Sequence, residues 1–386
     1  MKVRYILSSF FAIFFFACAS QPKVEIQQEE EKKEEIPLLT PQREILLSNA
    51  DVILEQLSTE EKVAQLFIIM PEQLSSDAIT KVTASLYSEI LRYPVGGFIF
   101  FARHIEEPSQ LRKFTKKLKE ISLVPPILAV DEEGGRVARI AQAENFFLPQ
   151  FENMATIGAT KNIENARGAG QIIGSYLKSF GFTLNFAPVA DVNTNPKNIV
   201  IGKRAFGSDP EKVADMVGAF LSGLHSTGVK GCIKHFPGHG DTKGDTHSNY
   251  VAVKKNWAEL KHCELIPFVK NFSEADYVMV AHVTCTNIDT KFPASLSKAL
   301  ISGKLRGELG YKGLILTDAL NMGAIEKNYG SDEACILAIE AGNDILLMPK
   351  NFHAAYNAVL EAVRSGRISI ERIDESVLRI LHAKGF

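Results

Sequence analysis

Eight short apolar runs, each followed by a stretch of helical spacing, repeat along this chain and limit the folds that it can adopt. The runs cover 63–70, 96–101, 126–130, 184–189, 228–233, 277–281, 313–317 and 344–348. The helical patterns cover 77–92, 109–121, 165–180, 209–226, 257–271, 297–309, 332–341, 352–364 and 370–382. The runs are continuously apolar rather than alternating, which is typical of parallel strands with both faces covered. They predict an α/β fold, a single TIM-type (β/α)8 barrel, with a doubly wound open sheet as the alternative.

The N-terminus has the pattern of a targeting segment. Lys2 and Arg4 precede an apolar stretch over 6–17, which is too short to be a comfortable transmembrane helix. The stretch ends in Phe-Phe-Ala-Cys, and a small residue before Cys18 resembles a bacterial lipoprotein cleavage site. We therefore predict a signal peptide over 1–17 and lipidation of Cys18. An ordinary secretory signal cut nearby and an uncleaved anchor are the alternatives.

The segment 18–42 is rich in charge and poor in apolar residues, so it cannot bury enough surface to order itself. We predict a flexible charged tether there, followed by one barrel domain over 43–386. The protein is then expected to be an exported lipoprotein of the bacterial cell envelope, anchored to a membrane through Cys18. The net charge of −2 gives no indication of a nucleic-acid partner. Of the other cysteines, Cys232 and Cys285 lie in apolar runs and are expected to be buried.

A glycine-rich segment over 234–247 follows the fifth apolar run and concentrates ionisable groups. It carries one lysine, three histidines and two aspartates, namely Lys234, His235, His239, His247, Asp241 and Asp245. Functional groups often lie on loops that a rigid scaffold holds, so we interpret this segment as an active-site loop. A polar surface loop is the alternative. Its glycines, like Gly134 and Gly135, lack the spacing of nucleotide-binding loops and are expected to let backbone approach a ligand closely.

Other polar residues follow the predicted strands, where the functional groups of a barrel are expected. They are Asp131, Asp191, Lys234, His235, His282 and Asp318. For any one of them, a helix cap or a turn residue is the alternative. Asp318 ends a strongly apolar run, so its carboxylate is held rigidly, as a nucleophile or an electrostatic stabiliser requires.

Two residues of the loop form a candidate acid/base pair. Asp245 and His247 are two positions apart, and a carboxylate near an imidazole fixes its tautomer and supports its protonated form. Such a pair suits a general acid that later acts as a base. Cationic side chains with Asp131 are candidates for hydrogen bonds to a polar ligand such as a sugar. They are Arg136, Arg139, Arg204 and Lys234.

Five stretches carry a family resemblance. They cover 130–139, 186–193, 201–209, 234–247 and 317–322. In this order they resemble glycoside hydrolase family 3, and most closely its NagZ-type β-N-acetylglucosaminidases. The resemblance implies a carbohydrate substrate, no cofactor, no metal and no nucleic acid.

The resemblance also implies roles at matching positions. Asp318 falls where the family has its nucleophile, His247 where NagZ-type members have the acid/base, and Asp245 where that histidine has its partner. The positions that grip the terminal sugar are matched by Asp131, Arg139, Arg204, Lys234 and His235. The implied reaction is an exo-acting, retaining removal of terminal N-acetylglucosamine from cell-wall fragments or related glycosides. Most glycosidases use two carboxylates, so a histidine acid/base is the unusual feature.

Two departures from the family pattern stand out. NagZ-type enzymes of Gram-negative bacteria are usually cytoplasmic, whereas this chain has an export signal. The usual Asp-Ser-His of the loop is Asp-Thr-His over 245–247. The chain also ends soon after the eighth unit, which argues against β-glucosidases that take their acid/base from a second domain.

Three other functions are alternatives. One is a sugar phosphorylase on the same scaffold, since a neutral histidine leaves room for phosphate. Another is a metal-dependent hydrolase that uses His235, His239, His247 and Asp241. The last is a sugar-binding lipoprotein without catalysis, against which the joint presence of Asp245, His247 and Asp318 argues.

Overall fold

The computed structural model describes residues 45–77, 79–243 and 251–386, and eight parallel strands form its centre. They are β1 (Phe67–Ile69), β2 (Gly97–Phe100), β3 (Ile127–Val130), β4 (Leu184–Asn185), β5 (Lys230–Phe236), β6 (Tyr277–Val280), β7 (Leu314–Thr317) and β8 (Leu346–Leu347). Each strand from β1 to β6 pairs with the next along the chain, and β8 pairs with β1. A bridge between Leu316 and Ile345 joins β7 to the start of β8. The predicted (β/α)8 barrel is confirmed, because a doubly wound sheet would not pair in this sequential order.

Helices surround the strands. The α-helices are Ala50–Gln56, Thr59–Gln65, Ala84–Arg92, Pro108–Ile121, Met154–Ala159, Ile163–Ser179, Pro210–His225, Trp257–His262, Ile266–Lys270, Gly323–Glu326, Ser331–Ala341, Phe352–Arg364 and Ile370–Lys384. Ala299–Glu308 forms a π-helical segment, and Pro71–Gln73, Ala102–His104, Gly202–Arg204 and Ala294–Leu296 form single 3-10 turns. No helix in the part of the chain described here is long and apolar enough to cross a membrane.

The strand predicted over 63–70 is shorter than predicted. Its first residues belong to the helix Thr59–Gln65, and β1 covers only Phe67–Ile69. The helix begins where it does because Ser58 accepts the backbone N–H of Glu61, whose side chain accepts the N–H of Ser58 in return. This capping box outweighs the apolar character of the residues that follow it.

Other predicted boundaries also shift. The helix predicted over 77–92 begins at Ala84, where the Thr83 side chain caps it. The helix predicted over 257–271 is two helices, because the backbone of Cys263 leaves the helical region at φ −142° and ψ −77°. The strand predicted over 184–189 pairs regularly only as β4 and then forms one bridge from Val189 to Lys234.

Alternate side chains of the strands fill the inside and the outside of the barrel. One core cluster fills the interior and includes Ile68, Ile99, Ala129, Cys232, Tyr277, Met279, Leu316 and Leu347. Their neighbours along the strands, such as Phe67, Phe100, Val130 and Ile315, belong to a second cluster that also takes in the apolar faces of the helices. Both faces are buried, which explains why the runs are continuously apolar. Cys232 and Cys285 are buried, as predicted.

The helix Ile370–Lys384 packs across the end of the barrel where the strands begin. Ile380 is fully buried and belongs to the interior cluster. On the same helix, Ser376 donates a hydrogen bond of 2.7 Å to Asp344, and Arg379 forms an ion pair of 2.9 Å with it. Asp344 lies just before β8, so the helix covers the interior at that end.

We expect Ile380→Ala to lower the free energy of unfolding by about 2–4 kcal/mol, because it leaves a cavity in the barrel interior. Urea denaturation of the variant and the parent chain measures the difference. Ile172→Ala is a matched control, since Ile172 is 40% exposed on a helix, and it should change stability by less than about 0.5 kcal/mol. Equal effects of the two substitutions would contradict the packing described for Ile380.

Candidate functional site

A cavity of about 600 Å³ opens at the C-terminal ends of the strands, where the functional groups of a barrel were predicted to lie. Several of its lining residues directly follow a strand or lie in its last three positions, namely Phe101, Asp131, Lys234, His235, Asp318 and Met348. Met279 and Leu347, which belong to the barrel interior, also line it. The interior below them is filled by core side chains, so the cavity has an opening at the mouth of the barrel and a packed floor.

A buried ammonium group joins two strands at the mouth. Lys234 is 2% exposed, and its Nζ lies 2.7 Å from Asp131 Oδ1 and 2.6 Å from Glu133 Oε1. Burial lowers the pKa of Lys234, but the two carboxylates outweigh burial and raise it above its ordinary value. Lys234 is therefore a fixed positive charge at the side of the cavity.

Arg204 completes this network. Its Nε and Nη2 donate to the two carboxylate oxygens of Glu133 at 2.8 and 2.7 Å, the bidentate geometry that arginine favours. Burial raises the pKa of Glu133, but the charges of Arg204 and Lys234 outweigh it and hold that pKa well below its usual range. Burial lowers the pKa of Arg204, but the carboxylates of Glu133, Asp191 and Asp131 outweigh burial and raise that pKa above its ordinary value.

Asp191 holds the two histidines that line the cavity. Its carboxylate lies 2.7 Å from His235 Nδ1 and accepts the backbone N–H of His239 at 2.6 Å. His239 Nδ1 is in turn 2.9 Å from Thr242 Oγ1. The peptide bond between Lys234 and His235 is cis, and both side chains line the cavity. Asp191 is fully buried and acts on the site through the histidines that it binds.

Asp318 follows β7, and its carboxylate lines the cavity. Its Oδ1 accepts the N–H of Ala319 at 2.8 Å, so it does not cap the next helix, which begins at Gly323. Burial raises the pKa of Asp318, but nearby His282 and His235, the Ala319 N–H and Lys234 together lower it below its ordinary value. Asp318 is therefore an ionised carboxylate facing the cavity.

The remaining predicted residues lie at different distances from this centre. Arg139 lines the cavity, and its guanidinium lies 5.6 Å from the centre of the Phe101 ring. Arg136 is exposed at the rim, where its Nη2 donates to the carbonyl oxygen of Ile199 at 2.9 Å. His282 does not line the cavity; it is fully buried and its Nε2 lies 2.9 Å from the carbonyl oxygen of Ala319.

Asp245 and His247 lie outside the described residues, so their predicted roles stay predictions. The described residues on either side of this segment make hydrogen bonds to other parts of the protein. Thr242 accepts and donates within a buried group formed with His239, Asn195 and Asn198. On the other side, Val251–Val253 pairs in parallel with Val283–Cys285, a short ladder that the sequence did not predict.

Sequence reasoning missed Glu133 as a site residue. It lies on a short hairpin, Glu132–Gly134 with Val137–Ala138, that no prediction included. Glu132 and Glu133 point to opposite sides. Glu132 accepts the backbone N–H groups of Ile140 and Ala141, whereas Glu133 binds Arg204 and Lys234. The signal available in the sequence was two adjacent acids after a strand, which alternate when the chain stays extended.

Two of the loop glycines, Gly238 and Gly240, lie in close packing contact with other parts of the protein. A Cβ added at Gly240 would lie 1.9 Å from the carbonyl oxygen of Val192, and one at Gly238 would lie 2.6 Å from Glu264 Cβ. These contacts give the two glycines a packing role, and the expectation that they bring backbone close to a ligand stays a prediction. They allow the loop to lie against its own protein.

Of the residues proposed for a metal site, the three that the structure describes, His235, His239 and Asp241, are engaged in other contacts. Asp241 is bound by Thr194 and Lys255 at 3.1 and 3.2 Å, and His235 is bound by Asp191. Within 45–77, 79–243 and 251–386, no group of three or more histidine, cysteine, aspartate or glutamate side chains is arranged to hold a metal ion. What the cavity offers chemically is the carboxylate of Asp318 beside fixed cations, the carboxylates paired with them and hydrogen-bonding groups, an arrangement suited to a small polar ligand.

Comparison with known proteins gives a consistent result. A model of the glycosyl hydrolase family 3 N-terminal domain matches residues 58–383. The chain is 41% identical to a family 3 β-N-acetylglucosaminidase structure from Paenibacillus sp. FPU-7, with a TM-score of 0.78, over 85% of this chain and 62% of that one. It is 30% identical to the structure of LpqI from Mycobacterium tuberculosis, with a TM-score of 0.78, over 89% of this chain and 98% of that one.

Some relatives are considerably longer. The chain is 32% identical over 337 residues to beta-hexosaminidase A of Pseudoalteromonas piscicida, which covers 80% of this chain. It spans 56% of the length of that protein and 62% of the Paenibacillus chain.

We expect Glu133→Gln to lower the free energy of unfolding at pH 7 by about 3 kcal/mol, because it leaves two buried cations with one carboxylate fewer. The folded-state pKa of Glu133 is below its ordinary value of 4.5, so its stabilisation is present above that pH and is lost as the pH falls further. The deficit of the variant should therefore shrink in denaturation series below about pH 4.5.

Glu326→Gln serves as the matched control, because Glu326 pairs with Lys350 at the surface. It should change stability by less than about 1 kcal/mol at every pH. A Glu133→Gln deficit that stays constant from pH 7 to pH 3 would contradict the ionised state assigned to Glu133.

Proposed function

The chain belongs to glycosyl hydrolase family 3, and from that premise we propose that it is an exo-acting, retaining β-N-acetylglucosaminidase. The observation that carries the proposal is Asp318, an ionised carboxylate that faces a cavity of about 600 Å³ beside Lys234 and His235. The β-hexosaminidase and β-N-acetylglucosaminidase names of its relatives support the choice of sugar. The substrate class is a glycan or cell-wall fragment with a terminal N-acetylglucosamine.

The shape of the cavity supports an exo-acting enzyme. Met279 and Leu347 line the cavity and also belong to the packed interior of the barrel, so a glycan chain cannot continue past them. A glycan that enters end first therefore has its terminal sugar at the floor and the rest of its chain toward the mouth. This geometry fits removal of one terminal residue at a time.

In the proposed mechanism, Asp318 attacks the anomeric carbon while His247 donates its proton to the leaving oxygen. The bond from Asp318 to the sugar forms as the glycosidic bond breaks, and the aglycone leaves with the proton of His247. Water then attacks the same carbon after losing a proton to His247, which frees Asp318 and gives a product of retained configuration. Asp245 is proposed to hold His247 in the required tautomer and to support its charged form.

The charge of Asp318 suits the first step. A nucleophilic carboxylate must be ionised, and the neighbours of Asp318 keep its pKa below the ordinary value despite burial. A histidine as acid/base adds no negative charge beside this anion when it is neutral. That is a physical reason for the unusual choice.

The grip on the terminal sugar is proposed to come from Asp131, Arg139, Arg204, Lys234 and His235. All of them line the cavity. Lys234 and Asp131 offer a donor and an acceptor within 2.7 Å of each other, a pair that can bind adjacent sugar hydroxyls. The network with Glu133 holds these groups before substrate arrives, which reduces the cost of ordering them on binding.

Outside the described residues, the signal over 1–17 supports an exported protein anchored through a lipid on Cys18. A thioether-linked lipid requires the cysteine sulfur, so Cys18→Ser should abolish incorporation of labelled fatty acid and release the protein from membranes. Incorporation that persists in Cys18→Ser would mean that Cys18 is not the anchor.

We expect Asp318→Ala to lower kcat on a chromogenic β-N-acetylglucosaminide by roughly 10⁴-fold, as loss of a nucleophile does in other enzymes. Added azide should partly restore turnover and give the α-glycosyl azide, since a small anion can occupy the vacated space. Asp215→Asn, at an exposed helix position, is the control and should keep full activity.

The same assay separates the alternatives. Release of sugar 1-phosphate that depends on added phosphate would show a phosphorylase. Loss of activity with a chelator, restored by zinc, would favour a metal-dependent hydrolase. Turnover unaffected by Asp318→Ala would contradict the proposed mechanism.

A further inference from the structure

The side chain of Arg139 is held in the cavity in an unusual way. Its Nε is buried and has no hydrogen-bond partner within the residues that the structure describes. Its guanidinium lies 5.6 Å from the centre of the Phe101 ring, within the range of a cation–π interaction. Both residues line the cavity.

Arg204, the other arginine that is proposed to bind the terminal sugar, is held differently. Its Nε and Nη2 donate to the carboxylate of Glu133, so those N–H groups are used within the protein. An aromatic ring instead contacts the face of a guanidinium and leaves the N–H groups in its plane available. Arg139 therefore keeps its terminal N–H groups for an incoming ligand, while Arg204 uses three of its N–H groups within the protein.

Phe101 is itself fixed at the end of β2. Its backbone N–H donates to His104 Nδ1 at 2.8 Å, so that nitrogen is the acceptor and the ring proton lies on Nε2. His104 is fully buried, and its Nε2 lies 2.8 Å from Glu72 Oε2. The second oxygen of Glu72 accepts from Arg103 Nε at 2.7 Å, and the Arg103 guanidinium also lies 5.2 Å from the Phe101 ring.

We propose that Phe101 is a positioning residue for Arg139, and that His104 and Glu72 fix Phe101 in turn. The ring holds the guanidinium over the cavity without using the N–H groups that bind the terminal sugar. A long arginine side chain has several freely rotating bonds, and restricting them before binding raises affinity. This inference rests on the proposed function.

The test compares Phe101→Leu and Phe101→Tyr, each in the parent chain and together with Arg139→Met. Turnover of a chromogenic β-N-acetylglucosaminide gives kcat and KM, and calorimetry gives the Kd for N-acetylglucosamine. Thermal unfolding of every variant separates a folding defect from a binding defect. Phe147→Leu is the matched control, since Phe147 is 99% exposed and does not line the cavity.

We expect Phe101→Leu to raise KM and Kd about tenfold with little change in kcat. The reason is that the ring is expected to support the contact between Arg139 and the sugar equally in the ground state and the transition state. Phe101→Tyr should stay within about twofold of the parent chain, because it keeps the aromatic face. In the Arg139→Met background, Phe101→Leu should have no further effect on either constant. Glu72→Ala should raise KM by a smaller factor, and that increase should also vanish in the Arg139→Met background.

Two results would overturn the inference. One is a Phe101→Leu effect of the same size with and without Arg139, which would mean that the ring acts on the sugar directly. The other is an equal defect in Phe101→Tyr and Phe101→Leu, which would mean that the aromatic face is not what matters. The proposed function is judged separately, by turnover of the parent chain and by its response to Asp318→Ala.

Discussion

The buried ammonium of Lys234 is the constraint on which the mouth of the barrel depends. Removing a charge from water costs several kcal/mol unless ionised partners surround it. Asp131 and Glu133 provide them from the chain that follows β3, and Arg204 balances the second carboxylate. β3, β5 and the turn Gly202–Arg204 are thereby tied together on one side of the cavity. The pocket is formed by the fold, not by the ligand.

The alternation of the strands explains why the sequence predicted so much of this site. On β3, β5 and β7, the residue two positions after an interior core residue lines the cavity. The pairs are Ala129 and Asp131, Cys232 and Lys234, and Leu316 and Asp318. A polar residue at that point of an apolar run is visible without a structure, and the barrel then brings the strand ends together. The same alternation relates Ile99 to Phe101, but a phenylalanine at the end of an apolar run gives no signal of a role.

The sequence did not predict which residues from distant parts of the chain would pair with each other. Glu133 and Arg204 are 71 positions apart, and only the folded barrel shows that they form a bidentate pair. His282 was expected at the mouth with the other strand-end residues, yet it lies behind Asp318 and contacts the backbone there. Local chemistry did hold a signal at Ser58, where a capping box moves the start of β1. Asp245 and His247 lie outside the described residues, so their roles rest on family resemblance.

The most direct measurement is mass analysis of peptides after inactivation by a fluorinated N-acetylglucosaminide that forms a glycosyl-enzyme faster than water removes it. We expect one added glycosyl residue, carried by Asp318, because its carboxylate is ionised and faces the cavity, whereas those of Asp131 and Glu133 are paired with Lys234. Inactivation with the label on a different residue would contradict the proposed mechanism.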